Sequence, residues 1–147
     1  MHFSTLLLTL SATVATSTPL APRATTEFVS MNLGLFSQTD SGLERIAFTL
    51  QTPSGDFHCD GENPRAGSDR PYGCQNADYS WRLMSEGPYG WGPYTITVFH
   101  QLGTAVGLSG NMTVGCSGPM PKVCSQVGFH NTTLCSDLTV CGAGANN

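Results

Sequence analysis

The residues that could exchange protons with a substrate are few and widely spaced in this chain. Acid–base chemistry on a phosphodiester needs imidazole or carboxylate groups together with a cation. The side chains that could supply it are His58, His100, Glu44, Glu62 and Arg82. Their spacing supports no particular constellation. Gly107-Leu108-Ser109-Gly110 does not fit a serine nucleophile elbow, and no carboxylate pair for glycoside hydrolysis can be identified. No catalytic residue is therefore predicted.

The two central histidines both fit ordinary positions in strands. His58 lies on the face opposite Phe57, which predicts a solvent-facing side chain. His100 shares the apolar face of Ile96 and Val98, which predicts a half-buried, hydrogen-bonded imidazole.

The six cysteines follow a pattern that favours disulfides over metal binding. Their positions are Cys59, Cys74, Cys116, Cys124, Cys135 and Cys141. No Cys-x-x-Cys pair occurs, which argues against zinc, and the acidic residues lack the spacing of an EF-hand. No metal and no cofactor is expected. Local pairing would give Cys59–Cys74, Cys116–Cys124 and Cys135–Cys141, although sequence alone leaves the connectivity open. Closing a loop of about 15 residues, as a first pair would, contributes about 3 kcal/mol in the chain-entropy model.

An aromatic segment rich in glycine and proline is the candidate partner-binding loop. It runs Gly87-Pro88-Tyr89-Gly90-Trp91-Gly92-Pro93-Tyr94 and cannot form a helix. Tyr89, Trp91 and Tyr94 would offer large contact areas to a sugar ring, a flavonoid-like molecule or a partner protein. The alternative is that these rings fold back and cover one end of the protein.

Two sequons are candidate glycosylation sites. Asn131-Thr132-Thr133 falls in a predicted loop, whereas Asn111-Met112-Thr113 falls within a strand pattern. Either asparagine could carry a glycan in an exported eukaryotic protein.

The elements that must position these residues read as short strands. Apolar residues alternate with polar ones in five segments, separated by turn sequences such as Pro53-Ser54-Gly55. The five alternating sets are Val29-Met31-Leu33-Leu35, Ile46-Phe48-Leu50, Tyr79-Trp81-Leu83, Ile96-Val98-His100-Leu102 and Val106-Leu108-Gly110-Met112-Val114. The sequence predicts an all-β fold, a compact disulfide-stapled antiparallel β-barrel or sandwich.

The two ends of the chain are expected to lie outside this fold. Residues 1–17 contain an apolar run too short to span a bilayer, followed by small residues, as in a signal peptide. Residues 18–26 would form a short pro-region or flexible N-terminus, residues 27–141 a single β domain, and residues 142–147 a disordered tail. The mature protein is predicted to be secreted, in the medium or at the cell wall.

The charge of the chain argues against two classes of partner. The net charge is −4 and only 11% of residues are charged. The few basic residues are scattered, so neither a nucleic-acid partner nor attachment to an anionic membrane is expected.

Several motifs resemble one family of secreted fungal proteins. They include Gly55-Asp56-Phe57-His58-Cys59, Tyr72-Gly73-Cys74 and Tyr79-Ser80-Trp81-Arg82. Together with Ser41-Gly42-Leu43, Phe48-Thr49-Leu50, Cys116 and Val123-Cys124, they look like the core of the Alternaria alternata major allergen-like family. The resemblance covers about residues 27–128.

The resemblance implies a β-barrel-like fold, the pairs Cys59–Cys74 and Cys116–Cys124, and no established catalytic residues. Members are secreted or cell-wall-associated allergens, and some are effectors that elicit or modulate plant defence. This chain has no cysteine before Cys59 and adds Cys135 and Cys141. The resemblance implies a covalent dimer only where a cysteine near the N-terminus links two subunits. Since this chain has none there, we expect a monomer or a non-covalent dimer.

These observations together predict a non-enzymatic secreted fungal protein, effector-like or allergen-like, that contacts a host or cell-wall protein or glycan. The first alternative is a small secreted hydrolase acting on RNA or polysaccharide. The second is a carrier of a small aromatic ligand.

Overall fold

The protein is built from strands throughout the part of the chain that the structure describes. The computed structural model describes residues 25–39, 42–85, 94–114, 122–123 and 129–137, among which no helix occurs. The nine strands are β1 (Thr26–Thr39), β2 (Gly42–Thr52), β3 (Gly55–Glu62), β4 (Tyr72–Gly73), β5 (Tyr79–Ser85), β6 (Tyr94–Gly103), β7 (Val106–Val114), β8 (Lys122–Val123) and β9 (Phe129–Cys135). The predicted all-β class is confirmed.

The strands form one antiparallel sheet that curls into a nearly closed barrel. Its order is β3-β2-β1-β9-β7-β6-β5-β4, with β8 pairing to the far end of β1. The strands from β1 to β3 and those from β4 to β7 each follow one another as neighbours, and β9 lies between β1 and β7. The predicted Pro53-Ser54-Gly55 turn joins β2 to β3, and Gly55 has a φ of 135°, which favours glycine.

The first and last strands of this order, β3 and β4, meet at a seam that a disulfide bond closes. Cys59 of β3 and Cys74, which follows β4, form the predicted disulfide. The two residues also form an isolated antiparallel bridge, and the Gln75 amide donates to the His58 carbonyl at 2.7 Å. The disulfide therefore does more than hold a polar loop, because it joins the two edges of the sheet.

Inward-facing side chains fill the barrel as the alternation predicts, with corrections in β1, β6 and β7. A bulge at Gly34 inserts one residue into β1, since Leu33 pairs with Phe48 whereas Leu35 pairs with Ala47. The bulge reverses the side-chain parity, so Phe36 rather than Leu35 is buried. Leu102 and Val106 are exposed, because they flank the β6–β7 hairpin at the open end of the barrel.

The boundaries of the domain also differ slightly from the prediction. Thr25 and Thr26 belong to the fold rather than to a flexible N-terminus, because Thr26 pairs with Cys135 and the Thr25 amide donates to Ser136 Oγ at 3.1 Å. The predicted signal peptide and the predicted disordered tail lie outside the described residues.

A glycine on β3 makes room for the largest side chain of the core. A Cβ atom on Gly61 would lie 2.9 Å from Cζ2 of Trp81, a contact that real Cβ atoms do not make. Trp81 cannot retreat, since its ring stacks on Tyr72 at 4.7 Å and meets the edge of Phe48 at 5.5 Å.

Gly61→Ala is therefore expected to lower the free energy of unfolding by about 1–3 kcal/mol, the usual range for overpacking a core. Urea unfolding monitored by circular dichroism measures this change. Gly73→Ala is the matched control, because a Cβ at Gly73 would meet nothing within 4 Å. Equal stability losses in the two variants would show that the Gly61–Trp81 contact is not tight.

Candidate functional site

A polar cluster lies inside one end of the barrel. The start of β1, the β2–β3 turn, the start of β5 and the end of β6 meet there. Glu27 has the same strand parity as Val29 and Met31, so its side chain points inward with theirs. His100 likewise follows Ile96 and Val98, and Tyr79 precedes Trp81 on the inward face of β5.

The Glu27 carboxylate joins the cluster through both of its oxygens. Oε1 accepts a hydrogen bond of 2.8 Å from the Tyr79 hydroxyl. Oε2 lies 2.5 Å from Nδ1 of His100, and the two side chains are only 12% and 17% exposed. Glu27 is thereby held in place by partners from two other strands.

Aromatic stacking fixes the orientation of the imidazole. Tyr79 and His100 are direct partners in the β5–β6 register, and their rings stack at 4.1 Å with an interplanar angle of 17°. Phe57 stacks on Tyr79 at 5.4 Å. Burial, and to a lesser extent the nearby Glu27 carboxylate, raises the pKa of Tyr79 above its ordinary value, so the phenol is a stable hydrogen-bond donor at neutral pH.

One ring nitrogen of His100 is left for a ligand. An imidazole that donates through Nδ1 to Glu27 presents Nε2 as a hydrogen-bond acceptor while it is neutral. Among the described residues, no hydrogen bond involves Nε2 of His100. The cluster can therefore accept a hydrogen bond from a hydroxyl group that enters this end of the barrel.

The cluster lies at the bottom of a pocket with an apolar rim. The pocket has a volume of about 460 Å³, and its lining includes Glu27, Ser54, Tyr79 and His100. Phe28 and Leu102, both exposed, contribute apolar surface to the lining. Such a volume, with apolar walls and a few fixed polar groups, is typical of small-molecule sites.

A second pocket adjoins the first on the side of the β6–β7 hairpin. It has a volume of about 370 Å³ and shares His100 and Leu108 with its neighbour. Neither pocket has Lys or Arg among its lining residues. This end of the barrel therefore favours neutral or cationic ligands over phosphate groups.

Of the residues proposed for acid–base chemistry, His100 alone lies in the cluster. It is half-buried and hydrogen-bonded, as predicted. His58 is exposed on β3, also as predicted. Glu44 and Glu62 are exposed as well, and Glu44 accepts a hydrogen bond from Ser37. Arg82 points outward, where it donates to the Asp69 carbonyl at 2.6 Å and covers the Phe99 ring.

The aromatic loop is corrected at one of its three residues. Tyr94 begins β6 and is 2% exposed, with its ring 5.5 Å from that of Phe36. Its alternation with Ile96 and Val98 turns it into the core, so it cannot contact a partner. Burial raises its pKa. Tyr89 and Trp91 lie outside the described residues.

Both sequon asparagines lie on strands and face solvent. Asn131 is in β9, paired with Ser30, so the prediction of a loop was wrong. Its mixed polar sequence resembles a loop, but the register with β1 makes it a strand. Asn111 is exposed on β7, as its strand pattern predicts, and accepts a hydrogen bond of 2.8 Å from Thr97.

The remaining cysteines are only partly described. Cys135 is disulfide-bonded, and no cysteine in the described part of the chain is a free thiol. Cys116, Cys124 and Cys141 lie outside the described residues, so the predicted pairs Cys116–Cys124 and Cys135–Cys141 remain predictions.

Sequence reasoning missed Glu27 and Tyr79 as site residues. A signal was present, since Glu27 is the charged member of an inward-facing apolar set and would need a partner when buried. Its partners Tyr79 and His100 lie 52 and 73 residues further along the chain. Local sequence patterns do not reveal contacts over such distances.

No protein-family model matches the chain, and a search of curated proteins found no match to it. None of the residues that the structure describes forms a helix able to cross a membrane. Function therefore has to be inferred from the geometry of this site.

Proposed function

We propose that this protein is a non-enzymatic, exported interaction protein that binds a small aromatic ligand at one end of its barrel. The observation that carries this proposal is the pocket whose floor is the hydrogen-bonded Glu27–His100–Tyr79 cluster. Mouths of β-barrels are common places for such sites. The polar groups are already held in place by hydrogen bonds to one another, so ligand binding would cost little side-chain conformational entropy.

The chemistry of the pocket suits a planar molecule that carries hydroxyl groups. Phe28, Leu102 and Leu108 offer apolar surface to a ring. The free Nε2 of His100 can accept a hydrogen bond from a phenolic hydroxyl. A phenol in this place would also be compatible with the partly negative cluster, since it approaches as a donor.

The proposed setting of this binding is outside the cell. Support comes from the signal-like residues 1–17 and from the disulfide at the barrel seam, since disulfides persist in oxidising compartments. The fungal effector or allergen role that we propose is supported by the motifs that resemble the Alternaria alternata major allergen-like family. In that role the protein would contact a host or cell-wall protein or glycan and elicit or modulate plant defence.

A hydrolase is less well supported by the same geometry. General acid–base cleavage of RNA requires a second proton-transfer group and a cation for the phosphate. The cluster contains one imidazole, its carboxylate is occupied by two hydrogen bonds, and Arg82 points away on the outer face.

Calorimetric titration with quercetin, a planar polyphenol, tests the ligand proposal. His100→Gln is expected to weaken binding at least about tenfold, because one lost hydrogen bond in a buried site costs on the order of 1.5 kcal/mol. His58→Gln is the matched control and is expected to leave the affinity unchanged, since His58 is exposed on another face. Equal affinity in all three proteins, or no binding by any, would overturn the proposal. Cleavage of RNA or cell-wall glucan that is lost in His100→Gln would establish the hydrolase instead.

A further inference from the structure

The outer face of the β1–β9 ladder carries an unusual pair of exposed rings. Phe28 is 61% exposed and Phe129 is 62% exposed, the highest values among the large hydrophobic side chains that the structure describes. The outward residues next to them on the paired segments are small and polar, namely Ser30, Asn32, Asn131 and Thr133. The two rings stand on either side of the Ser30–Asn131 pair on this face.

Asn131 lies between the two rings. Phe129 precedes it by two residues on the same face of β9, a separation of about 7 Å along a strand. Phe28 pairs with Thr133, while Ser30 pairs with Asn131. Phe28 is thus the diagonal neighbour of Asn131, at roughly 7–8 Å.

The side chain of Asn131 faces solvent, so the folded strand can accommodate a glycan there. Its Oδ1 accepts a hydrogen bond of 2.9 Å from the Ser30 hydroxyl. This contact leaves Nδ2, the atom to which N-linked glycans are attached, on the outer surface. Thr133 supplies the sequon hydroxyl and is also exposed.

We propose that Asn131 carries an N-linked glycan whose first N-acetylglucosamine lies on the ring of Phe129. In the attachment step, Nδ2 forms a bond to the anomeric carbon of a lipid-diphosphate-linked oligosaccharide. The lipid diphosphate leaves with the bonding electron pair, and Nδ2 loses one proton. The C–H face of the sugar then packs against the π face of the ring, which removes apolar surface of both from water. This inference rests on the export proposed above.

The second sequon provides an internal comparison. Asn111 is equally a strand residue on the outer surface, with its Oδ1 held by Thr97. The residue two positions before it is Ser109 instead of an aromatic. Its diagonal neighbour Phe99 is already covered by the Arg82 guanidinium, 5.6 Å from the ring centre. A glycan at Asn111 would therefore find no free ring.

The test is secretion of the full chain from yeast, followed by glycopeptide mass spectrometry and thermal unfolding. One sample is trimmed with endoglycosidase H, which leaves a single N-acetylglucosamine, and another is fully deglycosylated with peptide N-glycosidase F. We expect Asn131 to be occupied and trimming to leave the melting temperature unchanged. Full removal is expected to lower it by roughly 2–6 °C.

Variants separate stacking from other effects of the sugar. In Phe129→Ser, removing the glycan is expected to leave the melting temperature unchanged, whereas Asn111→Gln is expected to behave like the wild type. An unmodified Asn131 in secreted protein would overturn the proposal. So would a finding that removing the glycan lowers the melting temperature of Phe129→Ser as much as that of the wild type. Retention of the chain inside the cell would count against export alone. In that case, the full chain is fused to a yeast export signal, and glycopeptide mass spectrometry of the secreted protein shows whether Asn131 is occupied.

Discussion

Trp81→Ala is expected to lower the free energy of unfolding by about 3–5 kcal/mol, the range for truncating a large buried aromatic side chain. Trp81 is 0% exposed and packs against Phe48, Tyr72 and the bare backbone at Gly61. These neighbours come from strands on both sides of the barrel seam, so collapse around the cavity would have to move several strands. Urea unfolding of the oxidised protein measures the loss.

Trp81→Phe is the control for this prediction. It keeps a ring in the cavity and removes Nε1, which has no hydrogen-bond partner among the described residues. Its loss of stability is therefore expected to be clearly smaller than that of Trp81→Ala. If both variants unfolded at the wild-type urea concentration, Trp81 could not be the centre of the core.

Removing the seam disulfide is expected to have the second largest effect. The double variant Cys59→Ala and Cys74→Ala should lose about 2–5 kcal/mol of stability, as small disulfide-bonded domains usually do. The loss has two sources. The unfolded chain gains freedom, and the short β3–β4 contact then holds the barrel edges together through hydrogen bonds alone.

Hydrogen exchange distinguishes these two sources. The Gln75 amide donates to the His58 carbonyl across the seam, so its exchange reports whether the barrel edges stay together. We expect this amide to exchange much faster in the double variant, while amides of the β1–β2 ladder keep their protection. Unchanged protection of Gln75 would mean that the disulfide acts through the unfolded state only.

Much of the barrel could be predicted from alternation and turn chemistry. The β2–β3 hairpin follows from Ile46, Phe48 and Leu50 together with the Pro53-Ser54-Gly55 turn, because both signals lie within a few residues of each other. The burial of Tyr79 and Trp81 follows in the same way. These elements depend on local geometry, which a single sequence contains.

The errors arose where distant strands decide the outcome. Gly34 inserts a bulge that buries Phe36 instead of Leu35, and nothing near it in the sequence specifies which strand accommodates the extra residue. Tyr94 resembles a loop aromatic because it follows glycine and proline, but the β6 register turns it inward. Asn131 resembles a loop residue until its pairing with Ser30 is known.

Only part of the candidate site could be predicted from the sequence, for the same reason. His100 could be predicted as half-buried and hydrogen-bonded from the apolar face that it shares with Ile96 and Val98. The identity of its partner could not, because Glu27 approaches from across the barrel. The two residues meet because β9 lies between β1 and β7 and the sheet curls into a barrel.

The most direct test is a map of quercetin binding by nitrogen–proton correlation spectra of the labelled, oxidised protein. The amides of Glu27, Ser54, Tyr79 and His100 are expected to shift together on titration, because they surround one pocket. Amides at the opposite end, such as those of Phe36 and Tyr94, are expected to stay unchanged. Shifts confined to that opposite end, or a complete lack of shifts at saturating quercetin, would contradict a ligand site around His100.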